Sequence, residues 1–280
     1  MRSAPWLAAV SAAIAFGLGG CSSAPGTDAG RATVPPAPQG APTGHQHGGH
    51  HHGEGPGDPG QPGGRLVVYA DEQLRETFTV LAEKFEAAYP GTDVLFEFGA
   101  SDNHARRVVA GAEVDVFASG GTAGMASVVD RGAARGAPTV IARNPLVIVT
   151  AATAEGVDDL TDLRRPGARV VLCARHTRCG DTARKIADVR PTMVRPDGTA
   201  AVAAVRAGTA DAALVFRTDI AGAGTELRTI DFPQGVEHAD LYAIVPVGAG
   251  RNPVAADAFV AFTSSALAKR VLSDSGFTPA

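Results

Sequence analysis

Two groups of residues in this 280-residue chain could do chemistry by type and spacing. Cys173, His176 and Cys179 form a Cys-x2-His-x2-Cys run. Two thiolates and an imidazole would suit a tetrahedral zinc site, but no fourth ligand is evident. A disulfide across the intervening loop is the competing reading. His45, His47, His50, His51 and His52 form the second group. A tract of that kind binds transition metals weakly or is simply a solvated low-complexity stretch. Hydrolytic and phosphoryl-transfer signatures are missing. There is no Gly-x-Ser-x-Gly elbow, no His-Glu-x-x-His pair and no Walker loop. Residues 120–124 are Gly-rich but lack the Lys-Ser/Thr of a phosphate cradle. The chain reads as a non-enzyme that uses no cofactor.

Composition narrows the remaining classes. A net charge of -4 offers no basic field, which excludes a nucleic-acid partner. Only 5% of residues are aromatic, too few for a stacking platform.

The elements that position these residues begin after a long leader. Arg2 precedes an apolar run over residues 6–18, shorter than the roughly 20 residues a membrane span needs. It ends in Leu18-Gly19-Gly20-Cys21, which resembles a bacterial lipoprotein cleavage box. That resemblance implies a signal peptide over residues 1–20, lipidation of Cys21, and anchoring on the extracytoplasmic face of a membrane. Residues 21–64 are rich in Pro, Gly and His with almost no large apolar side chains. They form a linker that cannot bury enough surface to order itself.

Folded sequence starts at residue 65. Residues 66–69 read as a buried strand. Leu74, Phe78, Leu81, Phe85 and Ala88 then recur at helical spacing until Pro90-Gly91 stops them. Strand patterns follow at 94–98, 114–118, 146–149, 169–172, 212–216 and 241–247. Helical stretches are expected at 101–111, 158–163, 181–189 and 198–208. One closing helix is expected over 257–273, burying Phe259, Val260, Phe262, Leu267 and Val271. Alternating β and α units predict an α/β fold with mainly parallel sheets.

Several motifs then carry one resemblance. Phe98-Gly99-Ala100-Ser101, Gly111-Ala112 with Asp115-Val116-Phe117-Ala118-Ser119, and Ala142-Arg143-Asn144 with Leu146-Val147 occur in that order. Ala210-Asp211-Ala212, Val215, Thr218-Asp219 and the closing Gly276-Phe277 follow them. Together they resemble the substrate-binding proteins of molybdate ABC importers. The resemblance implies a two-lobed periplasmic-binding-protein-like (type II) fold. Lobe I would be residues 65–144, lobe II 145–232, and 233–280 would return to lobe I. It implies a monomer that binds a molybdate or tungstate oxyanion between the lobes and delivers it to an ABC permease. It also implies the Cys173–Cys179 disulfide.

By the same resemblance the ligand-binding positions are Gln73, Ser101, Cys179, Gly180, Gly198 and Phe216. Helix N-termini and hydroxyls are suitable donors to such an anion. Three positions depart from the family pattern. Gln73 replaces a Ser and follows Asp71 and Glu72, either of which would repel a dianion if it faced the cleft. Phe216 replaces a Tyr, forfeiting a hydrogen bond of about 1.5–3 kcal/mol to a charged partner. Arg178 replaces a Pro and offers a fixed positive charge in compensation. Two alternatives stay open. The same fold could hold another anion or a metal cation, the latter if Asp71, Glu72, Asp102 and His104 converge. Alternatively, the histidine tract could be the working part of a metal-binding lipoprotein with no transport role.

Overall fold

The computed structural model describes residues 60–280. The expected signal peptide, Cys21 and the His45, His47, His50, His51 and His52 cluster lie outside the described residues.

The first half of the fold opens with strand β1 (Gly64–Asp71), helix α1 (Arg75–Ala88) and β2 (Thr92–Gly99). Helix α2 (Ser101–Val109), β3 (Val116–Gly120), α3 (Thr122–Asp130) and β4 (Thr139–Asn144) follow. The second half holds β5 (Leu146–Ala151), β6 (Val170–Cys173), α4 (Arg178–Ile186) and β7 (Met193–Arg195). It continues with α5 (Gly198–Arg206), β8 (Ala212–Phe216) and β9 (Leu227–Ile230). The chain then returns through α6 (Pro233–Glu237), β10 (Asp240–Pro246), α7 (Pro253–Phe262), α8 (Ala266–Asp274) and β11 (Thr278–Pro279).

Two sheets result, one per lobe, in the orders β11-β4-β10-β3-β1-β2 and β7-β6-β8-β5-β9. The α/β expectation holds, but each sheet is mixed rather than mainly parallel. The β3-β1-β2 and β7-β6-β8 trios are parallel, as βαβ crossovers require. The remaining strands run antiparallel. The chain passes between sheets at Asn144–Leu146 and returns before Asp240. Asp240 pairs with Asn144, so the outward and return crossings lie side by side.

Each sheet has its own core. In the first, Phe78, Phe85 and Phe259 are fully buried, and the Phe85 and Phe259 rings meet edge-to-face at 5.2 Å. In the second, β5, β6 and β8 are buried along nearly their whole length, consistent with their runs of Val, Ile, Leu and Ala.

Two local expectations are corrected, and one helix was not foreseen. The closing helix is broken into α7 and α8, because the Ser265 hydroxyl accepts from Ala268 N and starts a new helix. The break re-aims the second half, so Leu267 is exposed while Ala268 and Leu272 are buried. Residues 158–163 form no α-helix. Their carboxylates take backbone N–H groups instead, Asp162 from Asp158 and Asp159, and Asp159 from Thr161. Helix α3 had no clear periodicity in the sequence and follows Gly121, whose φ of +76° few other residues tolerate.

Replacing Phe85 by Ala leaves a cavity against Phe259, Phe262 and Tyr89. Urea unfolding should show a loss of about 3–5 kcal/mol. A loss under about 1 kcal/mol, the range of tolerated hydrophobic swaps, would contradict this picture of the core.

Candidate functional site

A cleft of roughly 880 Å³ lies between the two sheets. The end of β1 and the starts of α2 and α4 converge on it. Asp71, the last residue of β1, is at its base and only 3% exposed. Its Oδ1 accepts from Gln73 N at 3.1 Å and from Arg178 Nη2 at 2.6 Å. Its Oδ2 accepts from the Ser101 hydroxyl, whose oxygen accepts Gly120 N at 3.0 Å. Thus donors from both lobes close on one carboxylate.

Arg178 is the first residue of α4 and reaches out of the second lobe. Besides Asp71 it donates to Tyr242 Oη at 3.0 Å and lies 3.2 Å from Asp240 Oδ2. Burial works against its charge, but Tyr242, Asp71 and Asp240 outweigh that, and the guanidinium is held above the ordinary arginine range. Burial pushes the Tyr242 hydroxyl up, so it stays a neutral partner. Burial also pushes Asp240 up, against the pull of Arg178. A Cβ on Gly120 would lie 1.9 Å from Arg178 Nη1, so the guanidinium could not keep this place beside a larger residue.

A second bridge crosses the cleft beside the first. The Thr218 hydroxyl donates to Gln73 Oε1 at 2.9 Å and accepts from Asn144 Nδ2 at 2.9 Å. Next to it, Asp219 Oδ2 accepts Phe216 N at 3.0 Å and covers the start of α5. A Cβ on Gly198 would stand 2.0 Å from that oxygen. Burial pushes the Asp219 carboxyl up to about 6, while the Phe216 N–H and the Gln73 amide pull it down.

The sequence-derived positions divide accordingly. Gln73, Ser101 and Arg178 meet at the cleft. Gly198 lies beneath Asp219, and Phe216 is buried behind the cleft, where it presents its backbone N–H to Asp219. Cys179 is disulfide-bonded to Cys173, so the Cys-His-Cys run is not a zinc site. Gly180 N is taken by the Thr177 hydroxyl, which caps α4 at 3.1 Å. A Cβ on Gly180 would strike Ala174 O at 2.1 Å, so this glycine fits the helix start under its loop. Asp71 does face the cleft, as charge considerations made pivotal. Glu72 lines it too and is paired with Arg75 at 2.6 Å.

His104 is buried in a neighbouring groove between β2 and α2, its ring 4.8 Å from that of Tyr69. Burial lowers its pKa. Among the described residues no cluster of three or more His, Cys, Asp or Glu is placed to hold a metal ion. Asp240 and Tyr242 had no sequence signal, because both lie in an otherwise ordinary apolar strand pattern.

Comparison with known proteins gives a consistent picture. The profile of the bacterial extracellular solute-binding protein family matches residues 66–278. Molybdate-binding protein ModA of Mycobacterium tuberculosis is 36% identical over 228 residues, covering 79% of this chain and 87% of that protein. A substrate-binding domain assigned to a molybdenum ABC transporter from Clostridium difficile superposes with a TM-score of 0.69 at 18% identity, covering 77% of this chain and 99% of that one. Iron-bound HitA from Pseudomonas aeruginosa gives 0.64 at 16% identity, covering 77% and 86%. At such identities the two structures share the fold.

The raised carboxyl of Asp219 makes stability depend on pH. In the unfolded chain it titrates near the ordinary 3.9 or so. The folded protein therefore holds the extra proton between there and about 6. The stability from the neutral form is complete below the unfolded pKa and is lost as pH rises through about 6. Asp219→Asn should flatten the melting curve across that window, where the wild type loses roughly 1–3 kcal/mol. Parallel pH profiles for the two proteins would refute the assignment.

Proposed function

Because this chain belongs to the bacterial extracellular solute-binding proteins, and among them to the molybdate ABC-transporter substrate-binding family, we propose that it captures a molybdate or tungstate oxyanion between its lobes for import. The observation that carries this reading is the donor set closed on Asp71. Ser101 Oγ–H, Gln73 N–H and the Arg178 guanidinium meet within hydrogen-bond reach of one pair of anionic oxygens. Two of them are near helix starts, where the dipole adds attraction for negative charge.

Turned to a bound ligand, these groups have distinct tasks. The Ser101 hydroxyl and Gln73 amide direct hydrogen bonds from the first lobe. Arg178 brings a fixed charge from the second, and its planar fork suits paired oxygens. The Thr218–Gln73 bond ties the lobes beside the ligand. No covalent step is involved. Hinge closure at the paired crossings then presents one shape to an ABC permease. In this reading the protein is a monomer held on the extracytoplasmic face by lipid on Cys21, with the residues between Cys21 and β1 as its spacer.

A second reading draws on a different observation. Asp71 and Asp240 set two carboxylates against one guanidinium, which would suit a solute that carries positive charge, a metal cation included.

Calorimetric titration of the full chain separates the two. The oxyanion reading expects heat from molybdate and tungstate and little from sulfate or phosphate. Arg178→Ala should then weaken tungstate binding at least about tenfold, the loss of one charged hydrogen bond. Heat from a metal cation alone would favour the second reading, using a variant with the five clustered histidines replaced by Asn. No response to any oxyanion would sink the first.

A further inference from the structure

Three donors of the cleft, Gln73 N–H, Arg178 Nη2 and the Ser101 hydroxyl, are already engaged, and what engages them is part of the chain. The Asp71 side chain is only 4% exposed. Both its oxygens are engaged, one by Gln73 N–H and Arg178, the other by Ser101. A carboxylate that presented free lone pairs to the cleft could accept a proton from a ligand. This one instead occupies the place a ligand's oxygens would take. It also joins the lobes, because Arg178 belongs to the second and Asp71 to the first.

We propose that Asp71 is the specificity-determining residue of the cleft, an intramolecular anion that holds the oxyanion donors until a solute displaces it. This rests on the oxyanion reading and adds what the solute must offer. A tethered group competes at high effective concentration, in the millimolar range or above. A monoanion brings no more charge than the carboxylate it must replace. A tetrahedral dianion brings twice the charge and four oxygens, enough to engage Arg178, Ser101 and Gln73 with oxygens to spare. The residue thus excludes abundant monoanions such as nitrate and chloride, and lowers affinity even for the solute it admits. Without solute it keeps the lobes drawn together through Arg178.

The test uses the full chain as wild type, Asp71→Asn, Asp71→Ala and Asp71→Glu. Each is titrated with tungstate, phosphate and nitrate, and each is measured solute-free by small-angle scattering. Asp71→Asn is close to isosteric, and Asp71→Ala serves if it folds poorly. The expected result is tungstate binding at least about tenfold tighter in the Asn or Ala variant, with nitrate binding appearing. Solute-free, those variants should show a larger radius of gyration than the wild type. Asp71→Glu keeps the charge and should gain no affinity.

Equal or weaker tungstate binding in both neutral variants would overturn the proposal. So would a matching gain in Asp71→Glu, which would point to looser packing rather than removed charge. Phosphate binding present in the wild type and lost in Asp71→Asn would also overturn it, since Asp71 would then be accepting a ligand proton. If no variant binds any oxyanion, the oxyanion reading fails on its own. The internal anion is then judged by scattering alone, where an unchanged radius of gyration would refute it.

Discussion

A guanidinium drawn into a cleft must find counter-charges there, and Arg178 finds all of its partners in the opposite lobe. Asp71 at the end of β1, and Asp240 and Tyr242 on β10, surround it. Breaking one such pair while leaving the other charge buried is costly, on the order of 3–5 kcal/mol. The surrounding backbone is shaped to this constraint. Gly120 has no side chain where the guanidinium passes. The Cys173–Cys179 disulfide spans the loop from which Arg178 projects. The two crossings pair at Asn144 and Asp240, so one counter-charge stands on the hinge itself.

The cleft therefore contains two opposed electrostatic tendencies. Helix starts and Arg178 attract anions. Asp71 and Asp219 already sit on those attractive positions, one on the Ser101 and Gln73 donors and one over the start of α5. Burial raises the Asp219 carboxyl against the pull of the Phe216 N–H and the Gln73 amide. The same few carboxylates thus set the electrostatics of the cleft. The protein belongs to a family of solute binders.

Much of the architecture was legible because it follows from local pattern. Leu74, Phe78, Leu81 and Phe85 mark α1 by spacing alone, and all four are buried. Strands β5, β6 and β8 of the second lobe are legible as apolar runs, since both faces are covered, whereas β7 and β9 are not. Features set by tertiary partners were not. Strand direction depends on how crossings return, which no periodicity records, and so the antiparallel halves of both sheets were missed. The break between α7 and α8 turns on one serine hydroxyl choosing a backbone N–H. In the site, Gln73, Ser101 and Arg178 could be named from motif position. Tyr242 and Asp240 could not, because their partner lies more than sixty residues away in sequence. Phe216 drew attention for a lost hydroxyl, yet its contribution is a main-chain N–H that any residue would supply.

Strand β1 has two ends with different duties. Asp71 closes one end at the cleft, and Gly64 opens the other, seven residues earlier. At about 3.3 Å per residue the two are roughly 23 Å apart. Everything N-terminal to the domain is joined at the Gly64 end, hydrogen-bonded there to Gly91 O. Pull on that end is carried along a strand clamped between β2 and β3, in shear across many hydrogen bonds at once. A load on that end is therefore spread over the first sheet before it reaches the cleft.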